Sequence, residues 1–339
     1  MRVDELPLAL GPHPRGPLGA ITDVPGVRVG HATLAEGDLR TGVTAIVPDA
    51  LGAARRWLPA GLAVGNGFGK LVGATQLVEL GALETPVLLT STLSAFAVAD
   101  ALVAHVLALP GYEDVTTLNP VVGETNDGFL SDVRARAVGA VHVEAALASA
   151  SAGAVAEGCV GAGTGTTALG FKAGIGTSSR VVELAGAPRT VGALVQANFG
   201  GVLTVAGVAM PSQDLLGEPP VETVGNSCMI VVATDAPLDA RQLDRVARRA
   251  VFAMGRVGAS YAHGSGDYAL TFSVGSGRPP ADADLDPLFG ATMDAVEEAL
   301  LNSVLAATTT RGFRGRVAYA VPGEAVRERL RAAGIVAPS

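Results

Sequence analysis

Residues 229–233 (Met-Ile-Val-Val-Ala) form a wholly apolar run, entered through Gly225-Asn226-Ser227 and left at Thr234-Asp235. A strand without a polar position has no face to give to water, so such a segment suits the centre of a sheet covered on both sides. Strand-like and helix-like signals are mixed along the whole chain, which predicts a layered α/β or α+β architecture with buried sheets. Composition supplies the material for burial. Hydrophobic residues are 49% and charged residues 17% of 339 positions, enough for a large core and unlike a disordered chain. No linker, charge block or fixed-period repeat divides the chain, so a single domain over 1–339 is expected.

Several function classes are excluded early. Lys+Arg of 24 against Asp+Glu of 32 gives a net charge of −8, and aromatics are 4%, which does not suit nucleic acid or an anionic membrane. Two cysteines make neither a disulfide framework nor a four-cysteine zinc site, and Cys159 and Cys228 read as small buried residues. Of His13, His31, His105, His142 and His263, no two lie three to five apart, so helical metal pairing is missing. No metal or cofactor is expected. The Gly-Ala-Gly-Thr-Gly segment at 161–165 resembles a phosphate loop only loosely, and close backbone packing explains its glycines equally well. There is no GxSxG elbow. The opening MRVDELPLALGPHPRG has no continuous apolar stretch followed by a small-residue cleavage site, so a cytoplasmic location is the expectation. The longest uncharged run, 190–213, is long enough to span a bilayer. It contains Gln196, Asn198, Gly200, Gly201, Pro211, Ser212 and Gln213, however, and reads as buried strands with a turn.

Periodicity and breakers place the main elements. A strand with a Pro25-Gly26 turn is expected over 20–31, and another strand over 41–48. Helical spacing covers 93–109, ended by Pro110-Gly111, and the Ala-rich stretch 131–152 also reads as helical. Two strands around Gly200-Gly201 are expected over 191–208, and one over 269–274. The best helix is 239–254, where Leu243, Val246, Ala247, Ala250 and Met254 repeat at three and four; 287–307 is a second long one.

The chemistry concentrates where the apolar strand begins. Gly225-Asn226 favours a tight turn with positive φ, and Ser227 sits directly before the strand. The residues allow two readings. Ser227 either caps a loop, or the strained bond before it shifts from amide to ester and hydrolyses. The second route frees Ser227 as a new N-terminus, whose α-amine has an ordinary pKa of about 7.7–8.0 and can serve as general base for its own hydroxyl. Such a pair activates a weak alcohol nucleophile without a histidine.

Seven blocks in order then resemble a known family. They are GAITDVPGVRVGHATL with GDLRTGVTAIVP; GNGFGK followed by LVELGALETPVLLTSTLS; PVVGETNDGFLSD; GCVGAGTGTTALGFKAGIGTSSRVV; VQANFGG; GNSCMIVVATDAPLDARQL; and HGSGDYALTFS. Together they are similar to the L-aminopeptidase/D-esterase and β-peptidyl aminopeptidase group of self-processing, N-terminal-nucleophile-like hydrolases. The resemblance implies an αββα sandwich and a precursor cut at Asn226–Ser227 into a large chain 1–226 and a small chain 227–339. It also implies cofactor-free hydrolysis at the N-terminal residue of short peptides, amides or esters, and a homo-oligomer of cleaved heterodimers.

Residue by residue, the resemblance implies that Ser227 is the nucleophile and that Ser265 and Asp267 of HGSGD support it. Asp267 is one methylene shorter than the Glu that relatives often carry. Asn198 of VQANFG aligns with the amide that steadies the oxyanion. Asn126 of ETNDG stands where some relatives have a tyrosine, and can donate a hydrogen bond but cannot act as a phenolic acid. Glu124 and Asp127 are expected at the solvated surface, with the substrate ammonium as their alternative partner; Gly67 and Phe68 line the entrance or pack locally. Two competing functions remain at this point. An ornithine-acetyltransferase-type enzyme shares the self-cleaved architecture but usually frees a threonine, and an unprocessed chain would be a non-catalytic binding protein.

Overall fold

The computed structural model describes residues 1–217 and 226–336; Val224 and Gly225, ahead of the expected cleavage point, lie outside them. Eleven strands make two sheets: β1 Val27–Leu34, β2 Thr41–Pro48, β3 Leu58–Gly67, β4 Leu71–Val72, β5 Ala82–Leu83, β6 Val87–Ser91, β7 Val121–Thr125, β8 Ile175–Leu184, β9 Ala187–Asn198, β10 Ser227–Thr234 and β11 Gly266–Ser273. The five-stranded sheet runs β1-β2-β6-β7-β4 and the six-stranded sheet β8-β9-β10-β11-β3-β5. Each contains one parallel pair, β6 with β7 and β10 with β11, and the other pairs within the sheets are antiparallel. Parallel neighbours need a crossover. Helix α1, Ala95–Leu107, makes the crossover in the first sheet, and α3, Ala240–Arg256, makes it in the second. Helices α2, Ala140–Ala148, and α4, Asp286–Leu305, complete the outer layers.

Three apolar cores separate four layers. Val98, Leu102, Val143 and Ala146 of α1 and α2 pack on Val43, Leu88 and Val122 of the five-stranded sheet. Val29, Ile46, Leu89, Leu194, Met229, Val231 and Leu270 fill the space between the sheets. Val195, Ile230, Val232 and Ala269 meet Leu243, Ala250, Val296 and Leu300 of α3 and α4. The order is helix, sheet, sheet, helix, as the resemblance implies. All eight residues of β10 are buried, which is why its sequence carries no polar alternation.

The long helices form where the spacing places them. Asp239 caps α3, its carboxylate accepting from Gln242 N at 2.8 Å. Other expectations shift. Residues Ile21–Asp23 form a 3-10 turn and the strand begins only at Val27, because Ile21 N donates to Thr177 Oγ1 rather than to a ladder. Within 131–152 only Ala140–Ala148 is α-helical; Asp132 accepts from Arg134 N, and Arg136 turns the chain with φ of 46°. After Asn198 the expected second strand is a short hairpin, Thr204–Val205 with Val208–Ala209, outside both sheets. Among the described residues no helix is long and apolar enough to cross a membrane.

Candidate active site

Ser227 opens β10, and the register sets Asn198 of β9 opposite it on one side and Gly266 of β11 on the other. Side chains alternate across a strand. Met229 and Val231 lie between the sheets while Cys228 and Ile230 lie under the helices. Ser227 therefore points between the sheets, and Asn198, directly opposite, shares that face. Ser227 is 3% exposed. Its Oγ accepts a hydrogen bond of 3.3 Å from the backbone N–H of Asn126, just beyond the end of β7 in the other sheet.

The two asparagines are held differently. Asn198 Oδ1 accepts from Thr167 N at 3.1 Å, which fixes which end of the amide is the donor. Asn126 Oδ1 accepts from Gly128 N at 3.0 Å, a local turn. The side-chain oxygen of Asn126 is thus committed to its own loop, which leaves Nδ2 as its donor end, and it is the backbone amide that meets Ser227. The sequence does not reveal that division.

Ser265 and Asp267 form a pair on the other side of the strand plane. Ser265 Oγ donates to Asp267 Oδ1 at 2.6 Å. Asp267 is opposite Cys228 in register, so it faces the helices, and burial together with its charge raises the Cys228 thiol. Between them, Gly266 N donates to the carbonyl of Asn226 at 3.1 Å, on the peptide expected to break. Burial pushes the Asp267 carboxyl up, and the Ser265 hydrogen bond only partly opposes this. Asp267 Oδ2 and Asn226 Oδ1 are buried with no hydrogen-bond partner among the described residues. The 262–265 loop is tied to β3 by Asn66, whose amide nitrogen donates to the carbonyls of Ala262, His263 and Ser265.

A cleft of about 270 Å³ opens over Ser227. Gly67, Phe68, Lys70, Thr92, Glu124, Asn126, Asn226 and Gly264 line it. It is smaller than the ~300–1,000 Å³ of sites for drug-sized ligands, so it suits a small substrate. Larger hollows beside His105 and Trp57 contain none of these groups.

The acids depart from the solvated expectation. Glu124 is 3% and Asp127 1% exposed. Glu124 Oε1 accepts from Lys70 N at 3.0 Å and lies 3.2 Å from Lys70 Nζ, inside the cleft. Asp127 is not part of the lining. Ser91 Oγ donates to Asp127 Oδ1 at 2.7 Å, its Oδ2 has no partner among the described residues, and burial pushes the carboxyl up to about 6. Cys228 is buried as expected, but Cys159 is only half-buried. Its thiol, although burial alone would raise it, is lowered by the neighbouring Lys172 ammonium and by hydrogen bonds from Thr308 and Thr310. Among the described residues no cluster of three or more His, Cys, Asp or Glu side chains could hold a metal ion.

Lys70 and Asn66 are the positions that motif reading passed over. Both sit inside GNGFGK, and Lys70 is one of two lysines in the chain, a rarity that would have drawn notice.

The sequence profile of Peptidase family S58 matches residues 19–318. The chain is 39% identical over 355 aligned positions to Beta-peptidyl aminopeptidase BapA of Sphingosinicella xenopeptidilytica, covering 94% of this chain and 88% of that protein. Among solved structures it is similar to a Burkholderia sp. beta-aminopeptidase, with TM-score 0.88 and 42% identity over 98% of this chain and 99% of that one. It is also similar to the L-aminopeptidase D-Ala-esterase/amidase of Ochrobactrum anthropi, described as a prototype for the serine aminopeptidases and a new variant among the Ntn hydrolase fold. That match has TM-score 0.90 and 35% identity over 98% of this chain and 99% of that one. Profile, sequence and fold agree over nearly the full length, and this chain accordingly belongs to peptidase family S58 and is an enzyme.

Proposed function

We propose that the chain is a self-processed serine aminopeptidase and amidase, cut at Asn226–Ser227, that removes the N-terminal residue of short peptides, amino-acid amides or esters. In processing, Ser227 Oγ attacks the Asn226 carbonyl carbon; the amide becomes an ester, and water releases the large chain 1–226 from the small chain 227–339. The Gly266 N–H already rests on that carbonyl oxygen and is suited to carry its developing charge. In turnover, Ser227 Oγ attacks the substrate carbonyl and its proton passes to the Ser227 α-amine. The oxyanion is steadied by the Asn126 N–H and the Asn198 amide. The amine then protonates the leaving nitrogen, and a water, deprotonated by the same amine, frees the acyl group.

In this reading Ser265 and Asp267 position that amine, and Asp267, whose outer oxygen is unpartnered among the described residues, holds its ammonium form. Glu124 takes the substrate ammonium. A cytoplasmic location and a homo-oligomer of cleaved heterodimers belong to the same proposal.

The observation that carries the reading is the setting of Ser227, buried at the head of a central strand, with its hydroxyl in the cleft and a backbone N–H from the opposite sheet upon it. Denaturing mass analysis tests it. Two pieces with Ser227 at the new end are expected, together with release of p-nitroaniline from aminoacyl anilides. Ser227→Ala is expected to stay whole, folded and inactive. A processed or active Ser227→Ala protein overturns the reading. Anilides and amides differing in side chain, chirality and backbone length define the preferred substrate.

A further inference from the structure

We propose that Lys70 reads the free carboxylate of a substrate two residues long, which makes the cleft selective for unblocked dipeptides. The inference rests on the aminopeptidase reading above and extends it to the leaving-group side.

Among the side chains lining the cleft, Lys70 and Glu124 are the charged ones, and the proposed cut adds the Asn226 carboxylate and the Ser227 amine to the same lining. The two side chains differ in freedom. Glu124 is buried and receives the backbone N–H of Lys70 through Oε1, so it is fixed. The Lys70 side chain is 36% exposed and contacts Glu124 through Nζ at 3.2 Å. An ammonium has three donors on a flexible four-carbon stem, so two remain for other partners and the group can swing. A substrate ammonium arriving at Glu124 repels the Lys70 ammonium and takes its place on the carboxylate. Lys70, displaced toward solvent, is then free to meet another anion.

Two extended residues span about 7 Å, so a dipeptide bound by its amine at Glu124, with its peptide bond over Ser227, sends its own carboxylate toward the mouth. The opposite charges of a zwitterionic dipeptide match the opposite charges of the cleft. A blocked carboxyl leaves the displaced ammonium without a partner, and a longer peptide carries its charge past it. A lysine that merely neutralised Glu124 would be indifferent to the far end of the substrate.

The test compares kcat/KM for one dipeptide as free acid and as C-terminal amide. The wild-type enzyme is expected to favour the acid at least ten-fold, a difference of ~1.4 kcal/mol. Lys70→Gln is expected to bring the ratio close to one, chiefly through KM for the acid, and Lys70→Arg to restore part of it. A wild-type ratio near one overturns the proposal and needs no variant. A ratio that survives in a folded, processed Lys70→Gln enzyme overturns it as well. An enzyme that is uncut at Ser227 and hydrolyses neither form removes the aminopeptidase reading, and the Lys70 assignment with it.

Discussion

Two asparagines flank Ser227, and the same residue type is used in two ways. In the proposed mechanism Asn198 contributes a side-chain amide, its oxygen tied down by Thr167 N, whereas Asn126 contributes a main-chain N–H that any non-proline residue also carries. Asn198→Ala should therefore lower kcat by about 10²–10³, the usual cost of one oxyanion donor. Asn126→Ala should lower it less than ten-fold, since the main-chain N–H on Ser227 is retained; kcat on an aminoacyl anilide checks both. Asp127 permits a pH prediction. Its carboxyl, raised by burial from 3.8 to about 6, favours folding fully below the unfolded value, and that contribution is lost as pH rises through 6. Above that the ionised form costs about 3 kcal/mol, at ~1.4 kcal/mol for each pH unit between those two values. Asp127→Asn should therefore raise Tm at pH 8 and have little effect at pH 4, followed by thermal melting. Neither acid's burial was legible in ETNDG, because acids are usually solvated and only the fold brings this loop inside.

At the scale of elements, legibility followed burial. The strand at 229–233 and the helices at 239–254 and 287–307 lie close to their expected bounds because each presents a long apolar run or stripe to a core. The stretch 131–152 misled because alanine satisfies a helix and a close-packed loop alike, and local turns at Asp132 and Arg136 prevail before Gly139. Glycine placement carries a test at this scale. Gly176 of β8 lies so near the Ala299 carbonyl and Ser303 of α4 that a Cβ would collide with backbone. Gly176→Ala should destabilise by about 1–3 kcal/mol or more, as overpacking does, seen as a lower denaturant midpoint with the helix content of the folded state retained.

At the scale of the whole molecule, the proposed mechanism depends on register between distant segments. Ser227, Asn198 and Asn126 lie within one neighbourhood only because β9 pairs with β10 in one sheet while β7 ends above them in the other. Spacing along the chain holds no trace of that; the order of family motifs pointed to these residues without their geometry. The same arrangement predicts the fate of the two pieces after a cut at Asn226–Ser227. The small chain would begin inside the six-stranded sheet, bonded to β9 on one side and supplying β11 on the other. The two pieces should co-elute in native size exclusion and separate only in denaturant; separation under native conditions would contradict the pairing.

The distribution of primary amines carries a practical consequence. Lys172 is fully sealed in the interior, and Lys70 stands at the rim of the cleft. Aldehyde fixation, or coupling to an amine-reactive resin, would find beside the α-amines a single lysine side chain within reach, and it is the one at the mouth of the candidate site. Immobilising this protein through its lysines should stopper it, while attachment through its many surface arginines or carboxylates should leave it open.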